Sequence, residues 1–162
     1  MKAVKVTLCT LTLIVFGLFM LGYWMTPAPG ASSGNGNPAL LILIGLIPLF
    51  IVMTVLWWTL LRRCPFQAKT YCISILLLLT HLAAALFYRH HSLEAYRGVI
   101  RQALLNRYGT WDEQYVQDIT TGLSIHINHQ NFNVNTFLLF LSAVLLAAIV
   151  FRILDRTAGR ES

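Results

Sequence analysis

The sequence predicts an all-α integral membrane protein: a four-span antiparallel helix bundle with both ends in the cytoplasm and a small helical hairpin in its second outer loop. Residues 6–61, 70–88 and 136–151 contain no Asp, Glu, Lys or Arg. About 20 residues of apolar α-helix cross the hydrocarbon core, so the first segment can supply two spans and each of the others one. The composition agrees, since 57% of the 162 residues are hydrophobic and 11% are charged, whereas soluble domains contain about 25% charged residues.

The remaining charges indicate how the spans are oriented. The charged residues on one side of the predicted spans are Lys2, Lys5, Arg62, Arg63, Lys69, Arg152, Arg156 and Arg160, with Asp155 and Glu161. Between the last two spans, four arginines and four carboxylates cancel. The formal net charge of +6 therefore lies on one side, and the positive-inside rule assigns that side to the cytoplasm.

The first predicted span covers residues 6–24, follows a cytoplasmic segment of residues 1–5, and ends in Tyr23 and Trp24. Such an aromatic pair is typical of the membrane–water interface. The apolar core of this span is longer than the roughly 7–15 residues of a signal peptide, so we expect an uncleaved anchor. Residues 25–38 are uncharged and rich in Pro, Gly and Asn, which predicts a short, flexible outer loop.

Three more spans follow along the chain. They are predicted at residues 39–61, 71–88 and 136–153, with cytoplasmic segments at residues 62–70 and 154–162. Pro48 lies within the second of the four spans and removes one backbone hydrogen bond, which predicts a kink there. Because the loop between the second and third spans is short, we expect these two spans to be antiparallel neighbours.

Residues 89–135, between the third and fourth spans, have the pattern of a helical hairpin. Ser92 is a helix-capping residue that precedes one apolar face, and Gly109 is suited to end that helix. Thr110 begins a Thr-Trp-Asp-Glu sequence, which matches a capping box and predicts a second helix. Residues 123–128 alternate between apolar and polar side chains, which predicts a short extended piece.

His81 is the one histidine deep within a predicted span. Ionisable groups in spans are functional candidates by default, but a neutral imidazole can also be satisfied by a hydroxyl, that of Thr80, Thr54 or Ser142, across a helix interface. We expect this second role, while proton or ligand chemistry and a partner contact stay open. Ala84, Ala143 and Ala147 are candidates for the same interface, because small residues spaced four apart let helices approach closely.

Four histidines lie outside the spans and are candidate ligands for zinc or copper. They are His90, His91, His126 and His129. His126 and His129 have the spacing of a ligand pair. The outer segment contains no cysteine, although sites for soft metals usually include sulfur ligands. The sequence therefore predicts no metal and no cofactor, and the histidine site remains an alternative.

Aromatic and arginine side chains of the predicted hairpin are candidates for contacts with a partner protein, because these residue types dominate binding energy at interfaces. They are Tyr96, Arg97, Arg101, Trp111 and Tyr115. Catalytic groupings are missing: no carboxylate lies within a span, and no Ser/His/Asp set has a supporting scaffold. We therefore expect a protein that is not an enzyme.

Three functions fit these features. The one we favour is an interaction or assembly subunit of a larger envelope complex, of the secretion or conjugation type, in a bacterial inner membrane. The alternatives are an immunity-type protein that blocks a pore-forming toxin, and a small transporter, channel or metal-handling protein that uses His81 or the outer histidines. The expected partners are the lipid bilayer and either other membrane proteins or a second copy of the chain. Nucleic acid is not expected, because the basic residues lie at helix ends and form no long patch.

Overall fold

A computed structural model describes residues 1–31, 36–64 and 66–159. The α-helices are α1 (Lys2–Trp24), α2 (Leu40–Arg62), α3 (Ala68–Tyr108), α4 (Glu113–Ile119), α5 (Asn128–Asn131) and α6 (Val134–Ala158), and a 3₁₀ turn covers Ile125–Ile127. Over these described ranges the chain has no strand. Four of the helices, α1, α2, α3 and α6, are long and apolar enough to cross a membrane, so the predicted helical class is confirmed and each predicted span overlaps a helix that could serve as one. Parts of the predicted outer loop and tail, including Arg160 and Glu161, lie outside the described residues.

Helix α6 lies at the centre of the four long helices, because it packs against both α2 and α3. Helix α1 packs mainly on α2, and the core that these two helices share with α6 includes Val15, Met53 and Val144. Helix α3 packs along α6 and not along α2, contrary to the expectation from the short connecting loop. A short loop fixes only the ends of two helices, and the buried residues Tyr71 and Ala85 turn α3 toward α6.

Helix α3 is one continuous helix of 41 residues, which is about 60 Å long at the α-helical rise. The prediction that a separate helix starts at Ser92 is wrong. The backbone around Ser92 already makes intrahelical hydrogen bonds, so no cap is needed, and the Ser92 hydroxyl donates to the side chain of Gln130 instead (2.9 Å). The buried face continues from Ala85 to Ile100 and Leu104. The second half of α3 therefore extends beyond the length that a bilayer requires.

The turn after α3 differs from the prediction in its cap. Gly109 ends α3 in the left-handed conformation (φ +73°), as predicted. The next helix is capped by Asp112, whose side chain accepts from the backbone N–H of Gln114 at 2.9 Å, and not by Thr110. The carboxylate of Glu113 is engaged by Arg101 and so does not complete a capping box. A charge-assisted pair of hydrogen bonds is stronger than the neutral cap that it replaces.

Two further segments depart from the predicted pattern. Residues 123–128 are not extended, because the 3₁₀ turn occupies Ile125–Ile127 after a cap by the Ser124 side chain. Helix α6 begins at Val134, before the predicted start of the fourth span. Asn133 accounts for this start, since its side chain accepts from the backbone N–H of Thr136 in a capping box.

Candidate interaction site in the distal unit

The basic residues at one end of the long helices define a basic end, and a compact group of segments lies at the opposite end. We call this group the distal unit; it comprises residues 89–133 with residues 25–31 and Asn37 of the first loop. Its small core is formed by Ile100 and Leu104 of α3 and by Val116 of α4. These residues are buried, so α4 is held against the second half of α3.

Arg101 and Glu113 connect α3 to α4 by two hydrogen bonds of 2.9 and 2.6 Å. The hydrogen bond from Arg101 lowers the pKa of the Glu113 carboxyl below its ordinary value. The Arg101 guanidinium also lies 5.7 Å from the ring centroid of Trp111. Arg97 is similarly occupied, because it pairs with Glu94 and donates to the Thr120 hydroxyl at 2.8 Å. Both arginines that the sequence suggested for partner contacts are thus used within the distal unit.

Amide side chains join the first loop to the distal unit. Asn37 and Asn128 exchange two hydrogen bonds of 2.8 and 2.9 Å, and Asn128 is fully buried. The Thr26 hydroxyl accepts from the backbone N–H of His129 at 2.7 Å, and Arg107 donates to the carbonyl of Gly30 at 3.2 Å. The ends of the loop predicted to be flexible are therefore hydrogen-bonded to the distal unit. Sequence reasoning missed these residues, although five amides among residues 128–135 were a visible signal.

His129 lies at the junction of these segments. Its ring is 4.1 Å from the ring of Tyr96, centroid to centroid, in an edge-to-face arrangement. Both rings border a cleft of about 460 Å³ whose wall includes Tyr23 and Trp24. Burial lowers the pKa of the His129 imidazole. The side-chain oxygen of Gln130 accepts from the Ser92 hydroxyl. The other side-chain atom facing His129 is therefore the amide nitrogen, which donates to Nε2 of His129 at 3.1 Å. An Nε2 atom that accepts a hydrogen bond belongs to a neutral imidazole ring.

The four histidines suggested as metal ligands are not brought together. His90 and His91 are exposed on α3, whereas His126 is buried and His129 is half-buried in the segment that precedes α6. Burial lowers the pKa of His126 as well. Among the residues that the structure describes, no three side chains of the metal-binding types converge.

His81 lies at the interface of α3 and α6, where its Nδ1 atom is 3.0 Å from the Ser142 hydroxyl. This pair is a polar link between the two helices. Asn135 adds a second polar link nearby, because its side chain donates to the carbonyl of Ala85 at 3.0 Å. The arrangement satisfies the imidazole within the helix interface, which is the geometry that the expected packing role requires.

The buried alanines of α3 and α6 are neighbours of predicted ones and not the predicted ones themselves. Ala85 and Ala148 are buried, whereas Ala84 is exposed and Ala147 only half-buried, as is Ala143. One position along a helix rotates the side chain by about 100°, so neighbouring alanines face different surroundings. A run of alanines therefore predicts a close approach of helices but not which alanine makes it.

Three exposed aromatic residues lie at the end of α3 and the start of α4. Tyr108, Trp111 and Tyr115 are 59%, 43% and 41% exposed. They line a concave surface of about 430 Å³ together with Asp112 and Gly30. We call this surface the aromatic tip. It includes two of the predicted partner-contact residues, Trp111 and Tyr115, while the third aromatic candidate, Tyr96, packs against the core of the distal unit.

No protein-family model matches this chain, and no curated protein or solved structure is significantly similar to it. Its function therefore has to be inferred from the arrangement of its own residues.

Proposed function

We propose that this chain is a non-enzymatic membrane subunit whose aromatic tip binds a partner protein of a larger envelope complex. The observation that carries this function is the exposure of three aromatic side chains around one concavity. Tyr and Trp supply large contact area with little loss of conformational freedom, and they are enriched among residues that dominate binding energy.

The position of the aromatic tip separates it from the aromatic residues that lie at a membrane surface. Tyr108 is about 20 residues beyond Tyr88, the last residue of the predicted third span, which corresponds to roughly 30 Å along α3. That distance exceeds the depth of the headgroup region. Exposed aromatics so far along the helix axis are better explained by a protein contact than by the membrane interface.

The rigidity of the aromatic tip supports the same function. Trp111 is backed by the Arg101 guanidinium, which is itself fixed by Glu113. The first loop supports the helix from the other side through Arg107 and Gly30. A surface that is already ordered loses less entropy when it binds, so more of its contact energy appears as affinity.

The proposed orientation places the basic end in the cytoplasm and the distal unit outside, following the positive-inside rule. At the basic end, Asp155 is paired with Arg62 (3.3 Å) and accepts from Trp58 (2.9 Å). Most of the positive charge there remains without a carboxylate partner in the described chain. We assign the membrane to a bacterial inner membrane, which would place the cysteine-free distal unit in the periplasm.

Copurification from the native membrane in mild detergent tests this function. Tyr108→Ser and Trp111→Ser should each weaken recovery of the partner, by about 30-fold in affinity if each residue contributes 2 kcal/mol. Leu123→Ser is the matched control, because Leu123 is 53% exposed in the distal unit but does not line the aromatic tip. Unchanged recovery with both tip variants would refute the proposal. Recovery of a pore-forming toxin as the partner would instead identify an immunity protein.

A further inference from the structure

A groove between α3 and α6 at the basic end is not explained by the proposed function. It has a volume of about 300 Å³ and is lined by Ala68, Tyr71, Cys72, Ile153, Arg156 and Thr157. Cys72 is exposed and lies beside Ile73, which is also exposed on the outward face of α3. The groove therefore has an apolar wall that continues onto the surface of the predicted span, and an arginine on its opposite wall.

Tyr71 is the most unusual residue of this groove. Only 4% of its surface is exposed, yet its hydroxyl has no hydrogen-bond partner among residues 1–31, 36–64 and 66–159. Buried hydroxyl groups in proteins are almost always paired. Tyr71 lines the groove, and its unpaired hydroxyl is suited to a ligand that accepts hydrogen bonds.

The same side of α6 carries two arginines, one turn apart. Arg152 is also left with a buried Nε atom that has no partner in the described chain. Arg156 donates to the carbonyl of Phe66 at 3.0 Å, and its guanidinium lies 5.6 Å from the ring centroid of Tyr71. The nearby carboxylate of Asp155 is paired with Arg62. Neither Arg152 nor Arg156 has a carboxylate partner among the described residues.

The start of α3 adds to the positive potential. Ala68 is the first residue of this helix and also lines the groove. The first turn of a helix has backbone N–H groups without intrahelical acceptors, and the helix dipole is positive there. An anion in the groove would thus meet the first turn of α3 on one side and the Arg156 guanidinium on the other.

We propose that this groove binds the phosphate headgroup of an anionic phospholipid. Arg156 pairs with the phosphate, the Tyr71 hydroxyl donates to it, and an acyl chain follows the apolar wall beside Cys72 and Ile73. Basic pockets between spans are the usual sites of anionic headgroups. A lipid fits better than a free phosphate ion, because the apolar wall leads away from the charged rim along the surface of the span.

Native mass spectrometry of the purified full chain tests the site, with phosphatidylglycerol or phosphatidylcholine added to the detergent. Phosphatidylglycerol should bind saturably and at least about tenfold more tightly than phosphatidylcholine. Arg156→Gln and Tyr71→Phe should each weaken phosphatidylglycerol binding by about tenfold, since each removes a hydrogen bond to a charged group. Arg63→Gln is the control, because it removes the same charge from an exposed residue of the basic end that does not line the groove.

If Arg63→Gln weakens phosphatidylglycerol binding as much as Arg156→Gln does, the lipid is attracted unspecifically to positive charge, and the proposal is overturned. Displacement of phosphatidylglycerol by glycerol 3-phosphate at similar concentration would identify a site for free anions and would overturn the lipid assignment. The melting temperature in phosphatidylcholine is a check on folding. Tyr71→Phe should leave it unchanged or raise it, because the substitution keeps the ring and removes only the unpaired hydroxyl. A lowered melting temperature would show that the hydroxyl is already satisfied within the protein, which would also refute the site.

Discussion

The contact between Gly22 and Phe132 leads to the sharpest test of the packing. Gly22 lies in α1, and a β-carbon added there would be 2.5–2.8 Å from three ring atoms of Phe132. Phe132 is 1% exposed and packs edge-to-face against Phe19, so its ring has little room to move. Gly22→Ala should therefore force the end of α1 away from the segment that precedes α6.

The expected change in the free energy of unfolding of Gly22→Ala is the sum of two opposing contributions. Replacing Gly by Ala within a helix normally stabilises it by up to about 1 kcal/mol. Overpacking a buried site costs about 1–3 kcal/mol. With three contacts well below normal packing distance, the second term should dominate, and Gly22→Ala should destabilise the protein by roughly 1–2 kcal/mol.

Gly17 provides a matched control in the same helix, because a β-carbon there would meet no atom within 4 Å. Thermal unfolding in detergent should show a lower midpoint for Gly22→Ala and an unchanged or higher midpoint for Gly17→Ala. The double variant Gly22→Ala with Phe132→Leu should recover part of the lost melting midpoint, because the smaller side chain leaves room for the added β-carbon. If Gly22→Ala is at least as stable as the parent protein, the packing of α1 on Phe132 is refuted.

Two predictions concern histidines. Burial lowers the pKa of His129 in the folded protein, so the unfolded chain takes up the proton first, and acidification below the ordinary pKa of about 6.5 should destabilise the distal unit. In melting experiments, His129→Gln should reduce the pH dependence of the melting temperature, and His91→Gln should not. An equal effect of the two substitutions would contradict this prediction. His81→Gln should keep the link to Ser142, whereas His81→Leu should lower stability by about 1 kcal/mol or less. If His81→Gln and His81→Leu instead lose function equally while their stability is unchanged, proton or ligand chemistry at His81 is indicated.

The helices could be predicted because their signals are strong and local. Long charge-free segments have few alternatives to spanning helices, and Gly109 adopts the left-handed conformation that its residue type favours. The facing positions of His81 and Ser142 could be anticipated for a similar reason, since an imidazole at membrane depth requires a polar partner and few are present in the spans.

The distal unit could be predicted only in part, because its structure depends on contacts between distant residues. Ser92 resembles a cap, but the helix continues through it because Ile100 and Leu104 extend the buried face. The amide pair of Asn37 and Asn128 joins residues that are 91 positions apart. No local pattern specifies such a pairing, so the first loop looked flexible in the sequence.

The orientation of the distal unit is the central claim, and accessibility of single cysteines to a membrane-impermeant maleimide tests it directly. The three native cysteines would be replaced first, and Asn106→Cys and Gln67→Cys would then be introduced at exposed positions of the distal unit and the basic end. In intact cells the reagent should label the Asn106→Cys variant but not the Gln67→Cys variant. The Gln67→Cys variant should be labelled only after the cells are permeabilised. Labelling of Gln67→Cys from outside, with Asn106→Cys protected, would reverse the orientation and remove the basis for an outer aromatic tip.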